Sequence, residues 1–301
     1  MAASRDDAFV AAIVARQRTH PPVDGLPPAA RVLELPLFVG EAGAATDGGF
    51  LHANGIGAVL SIGTGDVAAR PATVLCVDLL DLEDELLLPL VRECVAFIDA
   101  ALDSAVAVLV HCAYGQSRSA AICVAYLMAA RRMALQDAYD AVQRARSCIN
   151  VNAGFLRQLA LFERMGADCD VMGATPAHAE LRTMVALRDR RRVGVTAEIV
   201  GAPQLAAPRR TIHCRKCRYM LATTRNELAH GAASICGALY IEPMAWMAGA
   251  GDGLASTEGK LSCPSCRSKI GSWNWIGVKC QCKSFVSPAF QVVASRVDLK
   301  W

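Results

Sequence analysis

One cysteine and one arginine are separated by five residues in HCAYGQSRS, His111 to Ser119. The run before them, AVAVLV (105–110), is continuously apolar, as in the buried strand of a parallel sheet. The run after them, Ser119 to Arg132, is helical in pattern and apolar nearly all round, as in a buried helix. A loop joining such a strand to such a helix ends at a helix N-terminus. Unpaired N–H groups and a partial positive charge there make an anion site. Gly115 supplies backbone freedom for the curl. Ala113, Tyr114, Gly115, Gln116 and Ser117 would form the cradle, and Arg118 can grip two phosphate oxygens through its planar fork. In that positive field the Cys112 thiol is expected to ionise and act as a nucleophile. The natural reaction is attack on phosphorus, followed by hydrolysis of a phosphocysteine. Ser119 could hydrogen-bond the departing sulfur, and His111 could fix the loop and tune the thiol.

Expelling an alkoxide from a phosphoester needs a proton donor, a contribution typically of about 10²–10⁴-fold. The stretch VDLLDLEDELLLP (77–89) offers Asp78, Asp81, Glu83, Asp84 and Glu85 between a strand and a helix. The same acids could simply cap the helix that follows and solvate the loop.

A second constellation lies near the C-terminus. Of 13 cysteines, seven crowd into Cys214 to Cys282. Cys214-x2-Cys217 and Cys263-x2-Cys266 can together supply four thiolates in a tetrahedron, as structural zinc requires. Cys236, Cys280 and Cys282 then want a fourth ligand, for which His230 and His213 are the candidates. The expected sites are Cys214, Cys217, Cys263 and Cys266 for one zinc, and Cys236, Cys280, Cys282 and His230 for a second. Metal would replace much of the core that a tail this small cannot build.

The elements that must hold these groups are legible in outline. VLELPLFVG (32–40), GAVLSIG (57–63) and TVLCVDL (73–79) read as strands. LLLPLVRECVAFIDAAL (86–102), LQDAYDAVQRAR (135–146) and AGFLRQLALFERM (153–165) read as helices. The alternation predicts an α/β domain with a mainly parallel central sheet and helices on both faces. ALYIEPMAWM, GSWNWIG and FVSPAFQVVASRVD read as strands and aromatic packing, so the tail is expected to be small and β-rich. The expected boundaries are 25–170 for the first domain, 171–208 for a linker with a basic patch, and 209–301 for the cysteine-rich domain.

Bulk composition fits a globular chain, with 53% hydrophobic and 20% charged residues among 301. The net charge of +3 implies no partner. Its distribution is uneven: Leu181 to Arg218 holds ten Lys or Arg against Asp189 and Glu198, a segment that could touch RNA or merely be solvated. No secretory signal is evident. The longest apolar run, SAAICVAYLMAA, has 12 residues, short of the roughly 20 that cross a bilayer. The expectation is a cytoplasmic and nuclear protein with no membrane partner, its cysteines serving as thiols, nucleophiles or ligands.

Cys-x5-Arg is the signature of protein tyrosine phosphatases. SRSAAICVAYLM (117–128) and NVNAGFLRQL (150–159) resemble the dual-specificity branch over about residues 30–165. CRKCRYML, IEPMAWM and LSCPSCRSKIGSWNWIGVKCQC resemble the zinc-binding tail of the dual-specificity phosphatase 12 family. The resemblance implies a shallow pocket accepting phosphotyrosine and phosphoserine/phosphothreonine, phosphoprotein substrates, and catalysis needing no metal. It implies an acid about thirty residues before the cysteine, which selects Asp81, with Asp78 second and Asp84 third. It also brings an association with maturation of the large ribosomal subunit. The alternative function is therefore a zinc-dependent assembly factor for which phosphatase activity is dispensable, with a preribosomal particle or RNA held by the tail and basic linker. The loop departs from the family at Tyr114, where a small Ala is usual, so substrate fit is the property put in doubt.

Overall fold

In the computed structural model the chain divides into two compact units, Met1–Asp170 and Val171–Trp301. The residues described are 5–20, 25–64, 73–170, 173, 175–193, 210–230, 236, 238–248, 254 and 256–300. The stretch 194–209, within the expected linker and basic patch, lies outside them, as do the side chains of residues 189–193.

The first unit is built on a five-stranded sheet, β1 (Ala29–Arg31), β2 (Leu37–Glu41), β3 (Ile56–Ile62), β4 (Thr73–Val77) and β5 (Ala107–Cys112), in the order β1-β2-β5-β3-β4. All neighbours run parallel except β1 and β2. The all-apolar run at 105–110 forms β5 at the centre, buried throughout. The single strand expected at 32–40 is instead a hairpin. Leu33 takes a left-handed φ of 52° and Pro36 follows, so the chain turns back before β2 begins.

Helices α2 (Ala42–Thr46), α3 (Gly48–Ala53), α4 (Leu88–Asp103), α5 (Arg118–Arg131), α6 (Leu135–Ala145) and α7 (Ala153–Arg164) surround this sheet. Every residue of α5 from Arg118 to Met128 is buried, in keeping with its lack of a polar face. α1 (Arg5–Gln17) precedes the boundary expected at residue 25 yet is packed on the unit. It buries Val10 and Ile13, and Gln17 donates to the Tyr139 hydroxyl and the Val151 carbonyl.

The second unit opens with α8 (Pro176–Val193), which lies inside the segment expected as a linker. It is anchored rather than loose. Arg182 is buried and donates through Nε and Nη2 to both Glu242 oxygens, at 2.8 and 2.9 Å, and Asn226 donates to the same carboxylate at 2.6 Å. Arg182 is thus a member of the basic patch with no charge to show to solvent. The remainder is β-rich: β6 (Thr211–Cys214), β7 (Met220–Thr223), β8 (Leu239–Tyr240), β9 (Glu258–Ser262), β10 (Lys269–Asn274), β11 (Val278–Lys279), β12 (Phe285–Val286), β13 (Ala289–Val292) and β14 (Val297–Lys300). They form sheets β8-β13-β10-β9, β11-β12 and β14-β6-β7 around Ile241, Met244, Trp273, Trp275 and Phe290. MAWM, expected to be extended, instead gives the single helical turn α9 (Ala245–Ala248).

Candidate active site and metal centres

β5 delivers Cys112, buried at the strand end, and α5 begins at Arg118, so the loop between spans one sheet edge. Gly115 has φ +66°, and a Cβ there would lie 2.5 Å from the Gly40 carbonyl carbon, so the curl against β2 demands glycine. Among the described residues, no amide from Ala113 to Ser117 donates to a backbone carbonyl, which leaves these donors for an anion. Arg146, which sequence reasoning passed over, holds the loop from behind. It is buried, and its guanidinium donates to the carbonyls of Gly115 (3.0 Å), Tyr114 (3.3 Å) and Pro27 (2.7 Å). Gln116 donates to the Cys148 carbonyl and accepts the Asn150 amide.

Arg118 is clamped at one end. Its Nη1 faces the carbonyls of Ile62, Gly63 and Leu79 at 3.2–3.3 Å, while its buried Nε has no hydrogen-bond partner among the described residues. A fixed guanidinium with a spare donor suits a bound oxyanion. The Ser119 hydroxyl lies 3.3 Å from the Cys112 sulfur. Tyr114 is 69% exposed, its ring at the rim and its carbonyl on Arg146.

His111 lies directly before Cys112 at the end of β5. It is fully buried, and neither ring nitrogen has a hydrogen-bond partner among the described residues. Burial pushes its pKa below the ordinary histidine value, an effect partly opposed by the Cys112 backbone.

Asp81, exposed like Asp78 and Asp84, is tied to the loop. Its Oδ1 accepts from the Ser117 hydroxyl at 2.6 Å and from Asn152 Nδ2 at 2.7 Å, and Oδ2 lies 3.8 Å from Arg118 Nε. The segment 150–159 proves to be the mount for this acid loop. Buried Gln158 accepts the Leu87 amide (2.8 Å) and donates to the Glu85 carbonyl (2.7 Å). A Cβ on Gly154 would come within 2.0 Å of the Glu83 carbonyl oxygen, so only glycine lets the loop lie against α7.

In the second unit two four-ligand clusters form, Cys214, Cys217, Cys263 and Cys266, and His230, Cys236, Cys280 and Cys282. Within each, all ligand atoms lie within 4.8 Å of one another and could hold a metal ion. Cys214 and Cys266 sulfurs are 3.7 Å apart, and those of Cys217 and Cys263 are 3.5 Å apart. A tetrahedron with Zn–S of about 2.3 Å has edges of about 3.8 Å, so the spacing fits zinc. The local reason is a repeated turn. Arg218, Arg267 and Lys283, each directly after the second cysteine of its pair, adopt left-handed φ values of 65°, 58° and 68°. The amides of these residues return to the carbonyls of Cys214, Cys263 and Cys280 at 2.8–2.9 Å.

Two supporting residues gave no signal in the sequence. The Ser268 hydroxyl, 3.0 Å from Cys266, holds that thiol down to about 6. Tyr240 hydrogen-bonds Cys280 and stacks edge-on against His230, with centroids 4.7 Å apart. Cys280 is likewise held down to about 6, chiefly by the Cys282 backbone. His213 is elsewhere, bonded to the Arg218 carbonyl and Thr211.

A family model described as the dual specificity phosphatase catalytic domain matches residues 37–165. The chain is similar to Dual specificity protein phosphatase 12 of Mus musculus, with 32% identity over 87% of this chain and 86% of that one. It is similar to Tyrosine-protein phosphatase yvh1 of Schizosaccharomyces pombe, with 33% identity over 67% of this chain and 63% of that one. Among solved structures, the Yvh1 phosphatase domain from Chaetomium thermophilum is 30% identical, covering 47% of this chain and 99% of that one at a TM-score of 0.44.

Proposed function

The chain belongs to the dual specificity phosphatase 12 family, and from this we propose that it is an active phosphoprotein phosphatase working through a phosphocysteine on Cys112. The observation that carries the reading is the meeting of Asp81, Ser117 and Arg118 over the loop that holds Cys112. In the proposed first step the loop amides and Arg118 Nε hold the phosphoryl oxygens. The Cys112 sulfur attacks phosphorus, the P–O bond to the substrate breaks, and Asp81 protonates the leaving oxygen. In the second step water attacks phosphorus, its proton passes to Asp81, and the P–S bond breaks. Ser119 donates a hydrogen bond to the departing sulfur. Phosphotyrosine and phosphoserine/phosphothreonine are both proposed substrates.

Zinc is the proposed occupant of both cysteine clusters. Bound there it would be structural, holding the knuckles of a unit with a modest core. Catalysis uses none of it.

Turnover of a generic aryl phosphate by the wild type, inhibited by vanadate and lost in Cys112→Ser, tests the enzymatic reading. No turnover by the metal-replete wild type would refute it.

A second reading is proposed for the tail, a docking role on a preribosomal particle in the cytoplasm and nucleus, independent of turnover. The observation favouring it is that the tail has its own core and its own ligand clusters. A cellular role that survives Cys112→Ser but not tail deletion would support it, and loss of that role with Cys112→Ser alone would refute it.

A further inference from the structure

The two units carry opposite charge. The first holds 13 Lys and Arg against 20 Asp and Glu, and the second 18 against 8. The contrast is sharpest at two places. Next to the catalytic loop, residues 78–85 present Asp78, Asp81, Glu83, Asp84 and Glu85, while Arg118 and Arg146 are buried and engaged. On the second unit, Arg215, Lys216, Ser268, Lys269, Ser295 and Arg296 line a cavity of about 280 Å³.

This cavity is held in shape by the fold. The Arg215 amide bonds the Arg296 carbonyl, and its guanidinium donates to the Ser295 carbonyl at 3.2 Å and pairs with Asp298 at 3.6 Å. Ser268 fastens the opposite wall to the first cysteine cluster through Cys266. Lys216, Lys269 and Arg296 are exposed and make no ion pair with any described residue. The bland alternative is that these cations only neutralise the thiolates beside them. A zinc tetrathiolate would retain two negative charges and Asp298 adds one. Arg215, Lys216, Arg218, Arg267, Lys269 and Arg296 exceed that, so positive charge remains for a ligand.

We propose that this cavity is a docking site for a phosphomonoester on a phosphoprotein, distinct from the catalytic loop. The proposal rests on the phosphoprotein reading above and deepens it. Four cations and the Ser295 hydroxyl around one concavity suit a doubly charged phosphate, which offers oxygens to several donors at once. The volume lies at the small end for ligand sites and matches one modified side chain. Among the described residues no aromatic ring lines it, and these lining residues offer no stacking platform of the kind on which single-stranded nucleic acid depends. A substrate with several phosphates meets carboxylates beside the catalytic loop. A second phosphate would find its cations here, and the tail would retain the substrate while the first is removed.

The test uses the full-length Cys112→Ser protein with labelled amides and a blocked peptide bearing one phosphoserine. Saturable shifts are expected at the amides of Lys216, Ser268, Lys269 and Ser295, with none from the unphosphorylated peptide. Lys269→Met and Arg296→Met should each weaken that binding about tenfold, as expected for loss of one charge-assisted contact, with the remaining spectrum reporting that the fold is intact. Shifts confined to residues 112–119 would overturn the proposal. So would a single-stranded RNA occupying the same amides tenfold or more tightly than the peptide. Wild-type turnover of an aryl phosphate, measured separately, tells failure of docking from failure of the phosphatase reading.

Discussion

The Asp81 carboxylate accepts the Ser117 hydroxyl at 2.6 Å, which ties the proposed proton donor to the residue just before Arg118. The same oxygen accepts from the Asn152 side-chain amide at 2.7 Å, so acid, loop and the start of α7 are joined by hydrogen bonds. Ser117 stands at the N-cap of α5 but makes no capping bond, its hydroxyl being turned to Asp81. A stabilising cap is exchanged for the alignment of acid and phosphate.

Asp81→Ala should therefore slow hydrolysis of phosphoesters with basic leaving groups by about 10²–10³-fold and affect activated aryl phosphates much less. Rates across a leaving-group series check this. A slope unchanged from wild type would move the role to Asp78 or Asp84.

Gln158→Ala should mimic part of that loss from a residue that touches no substrate. It strips buried partners from the Leu87 amide and the Glu85 carbonyl. The cost is expected to be about 1–3 kcal/mol of stability, together with a steeper leaving-group dependence. Gly154→Ala should do the same by pushing the loop off α7. Lower stability with the leaving-group dependence intact would mean that Gln158 only packs.

Acid should unfold the first unit partly through His111. Its folded pKa lies below the ordinary value, so the unfolded chain binds the extra proton. The stability this site supplies is present above about pH 6.5 and is lost as pH falls from there through the folded value. Thermal midpoints from pH 7.5 to pH 5 should fall more steeply for wild type than for His111→Gln. Parallel slopes would exclude His111 as the titrating group.

Breaking the buried Arg182–Glu242 pair should destabilise the second unit. Arg182→Met alone leaves an uncompensated carboxylate and should cost about 3–5 kcal/mol. The double change with Glu242→Leu should recover much of that. Equal losses in single and double variants would argue against charge as the cause.

Metal analysis should give about two zinc per chain. Cys217→Ser and Cys282→Ser should each lose one, and His213→Ala none. A single zinc in wild type would refute the second site.

The catalytic loop was legible because each residue in it answers to local chemistry, from an apolar strand through glycine and guanidinium to a helix start. The clusters that could hold metal were legible because the paired cysteine spacings Cys214-x2-Cys217 and Cys263-x2-Cys266 bring thiols together. What stayed hidden was supplied from a distance. Arg146 grips the loop from 31 residues away with no local pattern marking it, and Gln158, inside the 150–159 segment that carries the family resemblance, grips the acid loop from more than 70, a role the segment did not reveal. The burial of the His111 ring was not legible, because adjacency to Cys112 says nothing about where its ring nitrogens point. Arg182 counted as surface charge only because Glu242, its partner, lies 60 residues on.

The central claim is that Cys112 itself carries the phosphoryl group. Rapid quenching of wild-type enzyme during turnover, followed by phosphorus NMR and mass analysis of its peptides, tests it directly. An S-linked phosphate is expected on the peptide containing Cys112, accumulating further in Ser119→Ala. Turnover with phosphate on an oxygen, or undiminished turnover in Cys112→Ser, would contradict it.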